Sequence, residues 1–314
     1  MSKYKLDSDV SDFIDRSNAA FDEESAAMSA VEQRRRYADL CREFDVPHPI
    51  GLTTQDDMIV GDGGPIRIRI YRPENTGPLG CLVYFHGGGW VVGDLDSHDA
   101  IAAEIAHRAH VVVVAVDYRL APEHRYPAAH EDCWRVLCAV EASPETFGVD
   151  RGRIAIGGDS AGANIAAGLA NRARDRGDLL IAGQILIYGA FGGSESLPSY
   201  TECHDAPMLT TADMHAYHTL YFDNAQTPDD PLAGALNALS MEGLPPAFIQ
   251  AAEYDPLRDD SLEYARRLGE AGVPVELHVE PGLVHGFLRA RHVTRKGADA
   301  FTRICEATKR LLAG

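Results

Sequence analysis

A serine flanked by glycines is the residue of this chain best suited to nucleophilic chemistry. Ser160 lies in the stretch RIAIGGDSAGANIAAG, where Gly158 and Gly162 complete the pattern G-x-S-x-G. A branched, strand-like run precedes the pattern and an alanine-rich, helix-like run follows it, which is the setting in which a sharp turn exposes a nucleophilic hydroxyl. Because the chain contains 29 glycines, the five residues alone are a weak signal. The flanking elements therefore carry the prediction that Ser160 is a nucleophile.

A candidate acid and a candidate base follow two later strands. A serine hydroxyl is a weak nucleophile near neutral pH and needs a histidine base that an acid orients. In open α/β sheets the reactive groups follow the carboxyl ends of the strands. Asp255 follows the strand-like AFIQAAE, and His285, between Gly282 and Gly286, follows VPVELHVE. The chain order of serine, aspartate and histidine is the order expected of α/β-hydrolases.

Two neighbouring carboxylates are the alternatives for the acid. Asp259 and Asp260 fall in the first turn of the next predicted helix, where a carboxylate favours the helix dipole for a structural reason. We therefore prefer Asp255. The alternative for His285 is a loop histidine without a catalytic role, but its place between two glycines fits a ring held at the end of a flexible loop.

A second glycine cluster follows the first central strand, in YFHGGGWVVGDLDSHD. Three glycines in series allow backbone N–H groups to approach a ligand closely, and with the N–H of Ala161 they could bind the oxyanion of a tetrahedral intermediate. The alternative is a phosphate-binding turn. The cluster has neither the spacing G-x-G-x-x-G nor a Lys-Ser/Thr ending, which argues against a nucleotide site.

The elements that would position these residues predict a doubly wound, mostly parallel α/β sheet. Residues 61–64 form a turn, and isoleucines at 66, 68 and 70 alternate with arginines as in a half-buried hairpin strand. Strand-like and helix-like segments then alternate, and several central strands are apolar on both faces. Helices are predicted over residues 97–109, 128–143, 211–222, 259–271 and 295–312 and directly after Ser160.

Two segments stand apart from this alternation. The stretch DEESAAMSAVEQRRRYADLCREF reads as an amphipathic helix that is acidic at its start and basic further on. Residues 190–239 contain no clear strand, and such long departures are more often lids than packing elements. We therefore predict an amino-terminal helical cap segment over residues 1–50 and a catalytic domain over 51–314 with a cap insertion at about 190–239.

Composition limits the partners and the location. A formal net charge of −18 argues against a nucleic-acid partner. No apolar run approaches the ~18 residues of a membrane span, and acidic residues stand where a signal peptide would be apolar, so a cytoplasmic protein is expected. The six cysteines contain no C-x-x-C pair and are expected to be reduced core thiols. His107 and His110 lack a third ligand at metal-site spacing, so no metal is predicted.

Five motifs together resemble the hormone-sensitive-lipase family of α/β-hydrolases: HGGGW, DYRLAPEHRYPAA, GDSAGAN, DPLRD and HGF. The resemblance covers about residues 52–312. It implies a carboxylesterase or related acyl hydrolase with an amino-terminal helical cap and with no metal or organic cofactor. Arg119, Glu123 and Pro127 match a family loop that we interpret as structural support for the glycine cluster.

The resemblance also assigns roles to residues of the candidate site. It implies that Ser160 is the nucleophile, His285 the general base and Asp255 its orienting acid. The oxyanion donors that it implies are Gly88, Gly89 and Ala161, and Gly87, which belongs to the same loop, is expected to contact substrate.

The aromatic residues near the glycine cluster and in the insertion are candidates for substrate binding. They are Trp90, Phe191, Tyr217 and Phe222. The alternative is that these rings fill the core of the cap. From the family resemblance, and from the charged cap with weaker weight, the preferred substrates are expected to be esters of short to medium acyl chains, without the interfacial activation of lipases.

Three further hypotheses remain at this point. Plant gibberellin receptors resemble the same family but lack the catalytic histidine, whereas this chain has it in VHGF, which favours an enzyme. An acyltransferase would use the same acyl-enzyme, and product partition with added alcohol would distinguish it. The strand VPVELHVE is predicted to be the last of the sheet, where its exposed edge favours pairing in a homodimer.

Overall fold

Eight strands form one sheet in this computed structural model, which describes residues 3–21, 28–61, 63–74, 77–222 and 228–313. The strands are β1 (Leu52–Ile59), β2 (Ile66–Pro73), β3 (Leu79–Phe85), β4 (Val112–Asp117), β5 (Val149–Asp159), β6 (Gln184–Ile187), β7 (Ala247–Tyr254) and β8 (Val275–Val284). Their order in the sheet is β1-β2-β4-β3-β5-β6-β7-β8.

The sheet is antiparallel at one end and parallel elsewhere. β1 and β2 form an antiparallel hairpin, and β2 also runs antiparallel to β4. The remaining neighbours are parallel, and every residue of β3 is buried, as expected of a strand covered on both faces. The predicted α/β fold with a mostly parallel sheet is therefore confirmed, and β8 is the edge strand that the sequence predicted.

Ten α-helices accompany the sheet in the described residues. They are α1 (Ser8–Ala20), α2 (Ala30–Glu43), α3 (Asp99–Ala109), α4 (Ala128–Ala142), α5 (Pro144–Phe147), α6 (Ala161–Arg176), α7 (Pro198–Glu202), α8 (Thr211–Phe222), α9 (Arg258–Glu270) and α10 (Arg295–Leu311). α3 packs against α10, and α4 packs against α6, so that helices cover the parallel strands. The helices predicted over residues 97–109, 128–143, 211–222, 259–271 and 295–312 agree with these bounds to within two residues.

The amino-terminal segment contains one more helix than the sequence analysis predicted. α1 was missed, although its buried residues Val10, Phe13, Ile14 and Ser17 follow helical spacing. The predicted amphipathic helix is observed as α2, whereas its acidic start at residues 22–27 lies outside the described residues. One residue of the predicted turn at 61–64, residue 62, also lies outside them.

Arg34 of α2 ties the amino-terminal segment to the loops beside the sheet. Its Nε donates to the Val91 carbonyl at 2.9 Å, and its Nη2 donates to the Ala121 carbonyl at 2.9 Å. The same guanidinium forms an ion pair with Glu123 at 2.6 Å. Because three separate acceptors fix one planar group, α2 is held in a defined position next to the HGGGW loop.

Asp260 of α9 binds the insertion at 190–239 to the catalytic domain. Its Oδ2 accepts hydrogen bonds from the Phe191 and Gly193 amides at 2.8 and 3.0 Å, and its Oδ1 accepts one from the Tyr200 hydroxyl at 2.8 Å. The described residues of the insertion contain α7, α8 and a 3₁₀ turn at Ala235–Asn237, and no strand, as predicted.

No helix in the described ranges combines the length and the apolar character that a membrane span requires. All six cysteines are free thiols, four of them buried. Within the same ranges, no three His, Cys, Asp or Glu side chains come together in a way that could hold a metal ion.

Candidate active site

The turn between β5 and α6 holds Ser160 in a strained conformation. Its φ of +53° and ψ of −116° lie outside the regions that most side chains adopt. The flanking glycines explain how the turn fits, because a Cβ at Gly158 or Gly162 would lie 2.1 or 1.9 Å from the carbonyl oxygen of Phe85 at the end of β3. The Ser160 amide donates to the Ile187 carbonyl at 2.8 Å. This is the strand-turn-helix arrangement predicted from the sequence.

The structure brings Ser160, His285 and Asp255 together. Ser160 Oγ is 2.9 Å from His285 Nε2, and His285 Nδ1 is 2.7 Å from Asp255 Oδ2. Asp255 is fully buried, and its other oxygen accepts the Leu257 amide at 2.9 Å. A neutral imidazole with its proton on Nδ1 donates to Asp255 and accepts from the Ser160 hydroxyl, which is the arrangement that activates a serine.

The two alternative acids do not contact His285. Asp260 holds the insertion, as described above, and Asp259 accepts the Ser199 amide at 2.8 Å. Both lie in the first turn of α9, where the sequence predicted them, but they also bind the insertion. Their structural role is therefore larger than an interaction with the helix dipole.

The three predicted oxyanion donors surround Ser160. Gly88 and Gly89 line a cavity that contains Ser160, and Gly89 and Ala161 line a second one. Gly88 has a φ of +128°, which favours glycine, and its carbonyl accepts the amides of Val91 and Val92 at 3.0 and 2.9 Å. Ala161 is the first residue of α6, so its N–H has no acceptor within that helix.

Gly87 does not line either cavity. Its amide donates to Asp159 Oδ1 at 3.0 Å, and a Cβ at this position would lie 2.4 Å from Asp159 Oδ2. The Gly87 N–H therefore fixes the glycine loop to the residue before the nucleophile, and the expectation that Gly87 contacts substrate stays a prediction.

Asp159 is the centre of a buried network that the sequence analysis missed. Besides Gly87, its carboxylate accepts the hydroxyls of Tyr84 and Tyr188 at 2.7 and 3.2 Å and lies 3.3 Å from His98 Nε2. Burial raises the pKa of Asp159, but the neighbouring His98, the charge of Arg289 and the hydrogen bond from Tyr84 outweigh burial and hold the pKa below its ordinary value. Asp159 thus stays ionised and fixes both sides of the turn.

The family loop around residues 119–127 supports the glycine cluster, as the sequence analysis proposed. The Ala121 amide donates to the Trp90 carbonyl at 2.8 Å, and Arg119 binds Asp132 through two hydrogen bonds of 2.8 Å. His86 adds support from below the loop: its Nδ1 is 2.8 Å from the Gly87 carbonyl, and burial lowers its pKa to about 4. The neutral imidazole therefore donates to that carbonyl.

Two cavities meet at Ser160. The first, called here the amino-terminal cavity, has a volume of about 120 Å³ and also contains His285, Gly286 and Arg289. Residues of α1 and α2 and of the insertion line it together; they include Asn18, Tyr37, Leu40, Met208, Leu209 and Tyr217. The second, called the insertion cavity, has about 30 Å³ and lies on the side of α8, where Trp90, Met214 and His218 line it.

A larger cavity of about 370 Å³ adjoins the insertion cavity. The two share Trp90, Ala190, Met214, His218 and Leu257, and the larger cavity also reaches Glu195, Asn164 and Asp260. Ser160 itself lines only the two smaller cavities among these three.

The structure places two of the four predicted substrate-binding rings at Ser160. Tyr217 lines both cavities, and Trp90 lines the insertion cavity. Phe191 instead stacks on Tyr264 in the core, with ring centroids 4.8 Å apart, and Phe222 packs against the edge of Trp90 away from both cavities. For these two rings the alternative reading, that they fill the core, agrees with the structure.

Comparisons with known proteins agree with this geometry. A protein-family model described as an alpha/beta hydrolase fold matches residues 82–289. The chain is 43% identical to esterase LipI of Mycobacterium tuberculosis over 91% of this chain and 89% of LipI. It is 44% identical to carboxylesterase NlhH of the same organism over 82% of each chain. The structure of a hyperthermophilic esterase from the archaeon Pyrobaculum calidifontis superposes with a TM-score of 0.87 at 37% identity, covering 91% of this chain and 94% of that chain.

Proposed function

Because the chain belongs to the α/β-hydrolase family and, within it, to the hormone-sensitive-lipase group, we propose that it is a carboxylesterase that uses Ser160, His285 and Asp255 as its catalytic triad. The observation that carries this proposal is the unbroken chain of contacts from Ser160 Oγ through His285 to the buried Asp255, at 2.9 and 2.7 Å. A receptor on the same fold would not need this arrangement, because binding alone requires no activated hydroxyl.

The proposed reaction forms and then hydrolyses an acyl-enzyme. Ser160 Oγ attacks the ester carbonyl carbon while His285 Nε2 takes the hydroxyl proton, and the N–H groups of Gly88, Gly89 and Ala161 stabilise the oxyanion. When the carbon–oxygen bond to the alcohol breaks, His285 returns that proton to the leaving oxygen. Water, deprotonated by His285, then attacks the acyl-enzyme, and collapse of the second intermediate releases the carboxylic acid and restores Ser160.

Both segments that line the amino-terminal cavity are proposed to form its cap. α1 and α2 contribute Asn18, Tyr37 and Leu40, and the insertion contributes Met208 and Tyr217. These residues line the same cavity as Ser160, which supports the division into an amino-terminal cap segment, a catalytic domain and a cap insertion. The cytoplasmic location expected from the sequence stays a prediction.

We expect the preferred substrates to be esters with short to medium acyl chains. The cavities at Ser160 have volumes of only about 120 and 30 Å³, and the side chains of Trp90 and Tyr217 bound the second one. A rate profile over p-nitrophenyl esters from two to sixteen acyl carbons tests this expectation. A maximum at the long end, with a further rise once the substrate exceeds its solubility, would show a lipase instead.

We further propose that two copies pair through β8. This strand is the edge of the sheet, and Val279 on it is 38% exposed, so its outer backbone groups offer an unpaired edge. Two β8 strands related by a two-fold axis would extend the sheet across the dimer. Light scattering of the wild type tests the proposal, and a monomeric wild type would contradict it.

A further inference from the structure

Arg289 places a positive charge in the cavity that holds the reacting groups. It follows His285 by four residues, in the 3₁₀ turn Phe287–His292, and it lines the amino-terminal cavity together with Ser160 and His285. The residue is only 7% exposed. An arginine side chain stays protonated in proteins, so this charge is permanent.

The guanidinium of Arg289 has no carboxylate partner among the described residues. Its Nη2 donates to the Tyr37 hydroxyl, and its Cζ lies 4.8 Å from the centre of the Tyr37 ring. Its Nε is buried without a hydrogen-bond partner. Arg291, two residues further on, shows the usual solution for a buried arginine, because it binds Glu104 at 2.7 Å. A buried cation without such a partner is costly unless it serves a ligand.

Asp159 also lines this cavity but does not neutralise Arg289 by direct contact. Its oxygens accept hydrogen bonds from Tyr84, Gly87 and Tyr188, and one of them lies 3.3 Å from His98 Nε2. The described part of the chain contains no ion pair between Asp159 and Arg289. The two charges interact through space, because Arg289 lowers the pKa of Asp159 and Asp159 raises the pKa of Arg289. Without a direct contact between them, the guanidinium can still form hydrogen bonds with an anion that enters the cavity.

The position of His285 indicates which half of an ester would lie beside Arg289. In the proposed mechanism His285 gives its proton to the leaving oxygen, so the alcohol half must lie next to His285. His285 and Gly286 line the amino-terminal cavity and not the insertion cavity. Arg289 Nη1 lies close to Gly286, since a Cβ built on that glycine would be 3.4 Å from it. The guanidinium thus lies on the side of the leaving alcohol.

The opposite side of Ser160 has a different electrostatic character. The larger cavity beyond the insertion cavity is lined by Glu195 and Asp260, which would repel an anion, and by two histidines, His215 and His218. Among the residues that the structure describes, no lysine or arginine lines it. Carboxylates line both sides, since Asp159 lines the amino-terminal cavity, but only that cavity offers an anionic group a guanidinium to bind, so the anion is favoured there.

We propose that Arg289 binds a carboxylate carried by the leaving alcohol, so that the enzyme prefers O-acyl derivatives of short hydroxy acids over neutral esters. The inference rests on the proposed carboxylesterase function and names the substrate class of the same site. A guanidinium can hold a carboxylate through two parallel hydrogen bonds, which would fix the alcohol half relative to His285. Arg289 is then a specificity-determining residue.

The test compares acids with amides of the same shape. Values of kcat and KM are measured for 2-acetoxyacetate and 3-acetoxypropanoate and for the two corresponding primary amides, with the wild type, Arg289→Met, Arg289→Lys and Arg35→Met. Arg35 is the control, because it is a 60% exposed arginine of α2, the helix that contributes Tyr37 to the cavity, and it is paired with Glu32 outside the cavity. Hydrolysis of p-nitrophenyl acetate reports on the proposed function alone.

We expect the wild type to favour the acids in kcat/KM, and Arg289→Met to lower the acid-to-amide ratio by about 10- to 100-fold, mainly through KM of the acids. Arg289→Lys should retain part of the preference, and Arg35→Met should retain all of it. Two results would overturn the inference: a wild type that favours the amides, or an equal loss on acids and amides in Arg289→Met. A failure to hydrolyse p-nitrophenyl acetate would instead overturn the proposed function. If Arg289→Met does not fold, the acid-to-amide ratios of kcat/KM for the wild type and for Arg289→Lys decide whether the inference holds.

Discussion

Replacing Ser160 by alanine should lower kcat for every ester substrate by about 10⁶-fold, because the reaction loses the atom that attacks the carbonyl carbon. The fold should be unaffected. Alanine and serine have similar backbone preferences at a φ of +53°. The amide of residue 160, which donates to the Ile187 carbonyl, is present in both proteins. Rates with p-nitrophenyl acetate and the melting temperature of both proteins measure the two expectations.

Covalent labelling gives a second readout of the same residue. An organophosphate or sulfonyl fluoride should modify Ser160 alone, since only a serine with a positioned base and oxyanion donors reacts readily with these reagents. Mass spectrometry of the labelled peptide identifies the site. Ser194→Ala is the matched control, because Ser194 is an exposed serine that hydrogen-bonds Ser196 and does not line either cavity at Ser160. Labelling or turnover that persists in Ser160→Ala would contradict the assignment.

The residues that the sequence identified lie at the ends of strands. β3 and β5 are parallel neighbours with Phe85 opposite Gly158, so the glycine cluster and the serine turn had to meet at one edge of the sheet. β7 and β8 end at Tyr254 and Val284, directly before Asp255 and His285. Local patterns predict strands, and parallel pairing brings their carboxyl ends together, which is why these groups could be placed without a structure.

The residues that the sequence analysis missed act through contacts between distant segments. Arg289 meets Tyr37 across 252 positions, and Asp159 meets Tyr84 across 75. Neither residue type nor spacing signals such contacts. The aromatic residues show the same limit, because Tyr217 and Phe222 are close neighbours on α8, yet one lines the cavities and the other packs away from them. Only the packing of α8 on the loops decides which ring reaches Ser160.

The choice among three neighbouring carboxylates has a direct test in a set of Asp→Asn substitutions. Asp259→Asn and Asp260→Asn leave the contacts of His285 intact and should change stability more than kcat. Burial raises the pKa of Asp260 to about 6, although the hydrogen bonds from Gly193, Tyr200 and Phe191 oppose the rise. Because the folded state holds this proton more tightly than the unfolded state, Asp260 contributes stability that is present at low pH and is lost as the pH rises to about 6. Asp260→Asn should make the free energy of unfolding less dependent on pH between about 4 and 6, which denaturant titrations can measure.

Asp255→Asn should instead lower kcat by about 10⁴-fold while the protein stays folded. The amide can still accept the Leu257 N–H through its oxygen, so the loop after β7 keeps its hydrogen bond. Its NH₂ group, placed against His285 Nδ1, would donate rather than accept and would favour the tautomer with the proton on Nε2. That tautomer presents a donor to Ser160 Oγ and cannot take its proton. Steady-state kinetics of the three variants measure kcat, and circular dichroism of the same proteins shows whether each one is folded. An Asp255→Asn enzyme with the activity of the wild type, together with an inactive and folded Asp259→Asn or Asp260→Asn, would move the role of orienting acid to α9.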